Sequence, residues 1–98
     1  MNWGAIAAHF FSGAFLANSI PHIVHGISGS RFQSPFARPP GIGESSAIVN
    51  VLWGAFNLAV GYLLIMHFGF EPIAAGIGAL VLALWLAHHF GRVRNKSA

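Results

Sequence analysis

The sequence predicts an all-α fold: an integral membrane bundle of three transmembrane helices per chain, the second and third forming an antiparallel hairpin. Three observations lead there. Of the 98 residues, 55% are hydrophobic and 7% charged, which is too little charge to keep a soluble domain dispersed. Three windows, about 3–27, 46–68 and 72–90, match the roughly 20 apolar residues that a span requires. With three spans, Arg31, Arg38, Arg92, Arg94 and Lys96 all fall on one side of the bilayer, and no Lys or Arg falls on the other. The positive-inside rule then places the N-terminus outside and the C-terminus in the cytoplasm. A chain this short and apolar is expected to form one membrane domain, 1–98, with a cytoplasmic loop over 28–45 and a cytoplasmic tail over 91–98.

The first span is the least clean, because it carries His9, Ser12, Asn18, Ser19, Pro21, His22 and His25. It lacks the basic residue that precedes the apolar core of a secretory signal, so it is expected to be a retained helix. Pro21 removes one backbone hydrogen bond and is expected to kink it, with Asn18 and Ser19 placed to meet the freed groups. In GESS, Ser45 or Ser46 suits the N-cap of the second helix. In FGFEP, Gly69 suits the C-cap of that helix, and Pro72 the first turn of the third, with Glu71 near its positive end. A connection this short makes the second and third helices antiparallel neighbours.

Helices in lipid associate through close packing and interhelical hydrogen bonds, so small residues spaced by three or four mark contact faces. The expected faces are Ala5, Ala8, Ser12, Ser19 and Gly26 on the first helix; Ala47, Asn50, Gly54, Asn57 and Gly61 on the second; and Gly76, Ala79, Ala83 and Ala87 on the third. Asn50 and Asn57 lie two turns apart on one stripe, and each must find a partner across an interface. They serve either as glue between helices or as the lining of a polar path, together with Asn18. A path bounded by three helices per chain needs several chains around it, so self-association is expected.

The six histidines sort by side: His9 and His67 toward the outside, and His22, His25, His88 and His89 toward the cytoplasm. They admit three readings. Imidazoles at helix C-termini are favoured by the helix dipole and by anionic headgroups and need no function. His22 and His25, three apart, can instead converge with His88 or His89 on a haem b or a divalent metal. No CxxCH or HExxH motif and no carboxylate within a span accompanies them. Finally, imidazoles titrate near neutral pH and can carry protons, with Asn57 or water bridging the gap between the two sides.

The loop GSRFQSPFARPPGIGESS alternates Phe32 and Phe36 with Arg31 and Arg38. That mixture suits a segment lying on the membrane, its guanidinium groups on lipid phosphate or on an anionic partner. The segments NSIPHIVHG, FQSPFARPPGIGESS and NVLWGAFN resemble those of short bacterial three-helix inner-membrane proteins of no assigned activity. The resemblance covers about half the chain and implies a bacterial inner membrane.

The sequence also argues against several classes. Without cysteine there is no disulfide framework or thiolate site. The net charge of +3 comes from scarce acids rather than a basic patch, so nucleic acid is not an expected partner. Glu44 and Glu71 fall in loops on opposite sides, so no Ser-His-acid set forms and no enzyme is expected. Two expectations remain: a homo-oligomeric transport or channel-type unit for a proton or small solute, or an accessory or anchor subunit of a larger membrane complex, with or without a His-ligated haem or metal.

Overall fold

A computed structural model describes residues 2–95 and contains three helices: α1 (Trp3–Ile27), α2 (Ala47–Phe68) and α3 (Pro72–Asn95). A two-residue antiparallel ribbon, β1 (Phe32–Gln33) with β2 (Glu44–Ser45), closes the loop between α1 and α2. Both α2 and α3 are long and apolar enough to cross a membrane by length and composition. Helix α1 is as long but falls short on composition, because its Asn, Ser and His residues dilute the apolar run.

The helix ends follow the capping chemistry. Asn2 Oδ1 accepts from the Ala5 N–H at 3.0 Å, and Ser46 Oγ accepts from the Val49 N–H at 3.2 Å. Gly69 adopts φ +88°, a region open to glycine at little cost, and its N–H donates to Ile65 O at 2.7 Å. Helix α3 continues five residues past the expected end at 90, because Gly91 alone does not break it and Arg92 and Arg94 suit its negative terminus. Helix α1 remains one element through Pro21, and the Ser19 hydroxyl donates to Leu16 O at 2.6 Å.

A three-residue turn joins α2 and α3 as a hairpin, yet nearly all interhelix packing involves α1, which lies against both. The α2 face toward α1 is Asn50, Gly54, Asn57 and Gly61, the expected stripe. On α1 it meets Ser12, Leu16, Ser19, Ile23 and Gly26. The opposite side of α1 crosses α3 where two glycines let backbones touch: a Cβ on Gly13 would run into the Ala75 carbonyl, and one on Gly78 into that of Phe10. The buried α3 face is therefore Ala75, Gly78 and Leu86, with Leu82 half-buried. This corrects the register expected for α3. Gly76, Ala83 and Ala87 lie about 100° around the helix and face outward, and only Ala79 is partly covered.

The 28–45 loop folds back onto the helices. Phe32 is buried, its ring stacked on His25 at 4.1 Å and edge-on to Phe90 at 4.7 Å, with the Arg94 guanidinium 5.3 Å from its centroid. Gln33, Ser34 and Ala37 are buried beside it, whereas Phe36 and Arg38 are exposed. Phe32 thus departs from the expected lipid-facing role. Pairing it with Ser45 across the ribbon points the ring into the bundle, and Arg31 donates to Glu44 O at 2.8 Å.

At the other end of the bundle, Glu71 accepts from the Ala74 N–H at 2.6 Å and the Ile73 N–H at 3.2 Å. These two bonds, Ala74 first, hold its carboxyl below the ordinary value, with a smaller effect from His9. A depressed folded-state pKa gives stability that is present above the unfolded pKa and lost as pH falls through the folded one. Melting temperature is therefore expected to drop as pH falls through and below the usual carboxylate range. The Glu71→Gln variant should lose that part of the pH dependence, and an unchanged profile would remove Glu71 as its source.

Candidate functional site

The most deeply buried side chains are polar: Asn50 is 0% exposed and Asn57 1%. Asn50 holds the loop end of the bundle together. Its Nδ2 donates to Phe32 O at 3.0 Å, Ser46 O at 3.1 Å and Ser45 O at 3.2 Å, which ties α2 to both strands of the ribbon. Three carbonyls around one end of the amide fix its orientation, since none of them can donate. Asn50 Oδ1 then faces His22 Nδ1 at 2.8 Å, so Nδ1 must carry the proton. A neutral imidazole protonated at Nδ1 has its lone pair on Nε2. Two turns along, Asn18 Nδ2 donates to Asn57 Oδ1 at 2.9 Å, joining α1 to α2 a second time.

Because α2 and α3 barely touch, a cleft lies between them with α1 as its floor. At the loop end it widens into a cavity of about 360 Å³, with Asn18 and His22 on the floor, Trp53 on one wall and Trp85 and His89 on the other. Gln33, Ser34 and Gly41 from the loop form its roof. Asn18 and Trp85 are shared with a second hollow of about 300 Å³ further along the cleft, where Phe11, Phe15, Asn57 and Leu82 take over. Among the described residues, no Asp, Glu, Lys or Arg lines either space.

The expected site residues separate. His22 and His89 reach the same cavity. His89 Nε2 donates to Gly41 O at 2.7 Å, and its ring lies parallel to Trp85 at 5.1 Å. His25 is taken up by its stack on Phe32, and His88 is exposed. His67 is exposed beside Phe68, far along α2 from the cavity, and His9 Nδ1 is buried without a partner at the other end of α1. The four histidines His22, His25, His88 and His89 therefore do not gather around one point. Among the described residues, no three His, Asp or Glu side chains are grouped to hold a metal ion.

Sequence reasoning missed Gln33, Ser34, Gly41 and Trp85. The loop residues looked like a lipid-lying strap, and Trp85 lay off the Gly76, Ala79, Ala83 and Ala87 stripe expected to make helix contacts. Alternation was the available signal, since a strand that buries Phe32 also brings Gln33 and Ser34 to the bundle. Comparison of the chain with family models, curated proteins and solved structures finds no match.

Proposed function

We propose that the chain is a three-span protein of a bacterial inner membrane, N-terminus outside and C-terminus cytoplasmic, that self-associates as a transport-type unit for a small solute. One observation carries the membrane reading: polarity is inverted relative to a water-soluble fold. Asn50, Asn57, Ser12 and Ser34 fill the interior, while Ile48, Leu52, Leu63, Met66, Ile73 and Leu84 point outward. In water this arrangement would expose apolar surface far beyond what a monomer carries, whereas in hydrocarbon each group sits where its solvation favours it. The long dimension of 46 Å also suits a bilayer of about 40–45 Å with its headgroups. In this reading α1 also spans, its polar groups turned toward α2 and α3 and its exposed Phe11, Ile20 and Val24 toward lipid.

The cleft supports the transport reading. It brings Asn18, Asn57 and His22 along one line, and a second copy closing its open side would turn a groove into an enclosed path. The outward Gly76, Ala83 and Ala87 stripe favours a further helix against α3. That same stripe supports the second reading, an accessory subunit docked on a larger membrane complex.

Reporter fusions are expected to place the N-terminus outside and the C-terminus in the cytosol, and both ends in one compartment would overturn the topology. A purified oligomer that moves solute or protons across liposomes is the expected result. A flux-silent protein that co-purifies with larger membrane subunits would replace transport with the accessory role.

A further inference from the structure

We infer that the cavity at the loop end of the cleft binds a neutral ring-bearing alcohol, a phenol or hydroquinone head group, with His22 Nε2 accepting a hydrogen bond from the hydroxyl. His22 is the polar anchor of the cavity floor. Its side chain is 97% buried, since only 3% of its surface is exposed, and its Nδ1–H is committed to Asn50. Among the described residues Nε2 has no hydrogen-bond partner, yet it is not one of the sealed, unpartnered atoms, so it opens on the cavity that His22 lines. A buried lone pair held at a cavity wall asks for a donor. The bond from Nδ1 to an amide oxygen fixes the tautomer and orients the ring, so this acceptor is preorganised.

Gln33 adds the complementary group. It is 5% exposed and lines the same cavity; its Oε1 is sealed without a partner, while its Nε2 makes no hydrogen bond among the described residues and keeps access. A hydroxyl both donates and accepts, so it can satisfy His22 Nε2 and Gln33 Nε2–H together, where a ketone or ether satisfies only the second. The remaining walls select the body of the ligand. Trp53, Trp85, His89 and Phe90 make the lining largely aromatic, and among the described residues no charged side chain lines it, so carboxylates, phosphates and amines find no counter-charge there. A volume of about 360 Å³ falls within the usual range for small ligands. The cleft continues past Phe11, Phe15 and Leu82, giving a mostly apolar groove for a tail.

The inference rests on the membrane placement proposed above only for its choice of a lipid-borne source. Purified full-length protein in detergent is titrated with p-cresol and with p-xylene, which replaces the hydroxyl by a methyl group. The cresol is expected to bind about 10- to 100-fold more tightly, the span of one buried hydrogen bond. In protein carrying ¹⁵N-histidine, the unprotonated Nε2 resonance of His22 is expected to move with p-cresol and stay put with p-xylene. The His22→Phe variant should lose the preference; if it fails to fold, the resonance shift in the unsubstituted protein decides. Equal affinities, or a His22 resonance that ignores p-cresol, would overturn the inference. 4-Decylphenol binding as well as p-cresol assigns a tailed, lipid-borne ring, and its exclusion assigns a free phenol. Binding without flux overturns transport alone, and flux without cresol binding overturns this inference alone.

Discussion

Replacing Asn50 with Leu is expected to lower stability by about 3–5 kcal/mol, the largest loss from any single polar side chain in the bundle. Leucine has nearly the same bulk, so the cost comes from hydrogen bonds rather than from a void. The amide donates to Phe32 O, Ser45 O and Ser46 O and accepts from His22 Nδ1. Its loss strands the imidazole N–H and removes a donor from both ribbon strands, and each orphaned buried group costs about 1–3 kcal/mol. These groups are neighbours, so the sum is less than additive. Asn57→Leu is the internal comparison. Of its two bonds, the one to Trp53 O stays within its own helix, and only the one from Asn18 crosses helices. A single interhelical bond of this kind contributes about 0.6–2 kcal/mol. Unfolding in mixed micelles should therefore rank Asn50→Leu well below Asn57→Leu in stability, and the 28–45 loop should become protease-sensitive only in the former. Equal losses would mean that Asn50 does not anchor the loop.

The same two amides show how far the sequence could be read. Their seven-residue spacing with Gly54 and Gly61 marked the α2 contact face, because both asparagines share one helical phase with the two glycines. The third helix is ambiguous in that respect: Ala75 with Gly78, and Gly76 with Ala79, Ala83 and Ala87, are rival phases. The choice between them depends on where α1 crosses, which no local pattern encodes. Chain order likewise suggests the α2–α3 hairpin, which is present, but not that each of its helices packs on α1 rather than on the other. His22 and Asn50 were each notable alone, but their pairing links positions 28 apart, and the His89–Gly41 bond that closes the cavity links positions 48 apart. Such contacts arise only once the ribbon has folded the loop back, and the ribbon is too short to leave a strand signal.

Substituting valine at Gly13 or Gly78 is expected to separate α1 from α3 and to cost about 3 kcal/mol, the upper end for overpacking. The obstacle at each position is a backbone carbonyl, Ala75 O for Gly13 and Phe10 O for Gly78, and a carbonyl within a helix cannot rotate away as a side chain can. At Gly61 the nearest obstacle is the Leu16 side chain, which can change rotamer, so Gly61→Ala should cost less than Gly13→Ala. Gly76→Ala meets nothing within 4 Å and should slightly stabilise the helix. The two critical glycines serve one crossing from opposite sides, which makes their effects dependent. Once Gly13→Ala has pushed the helices apart, Gly78→Ala has less left to disrupt, and the double variant should cost clearly less than the sum of the singles. Strict additivity in the same unfolding measurement would mean that each glycine matters only to its own helix. The close crossing would then not be what holds α3 in place, and the wall that α3 gives the cleft would need another support.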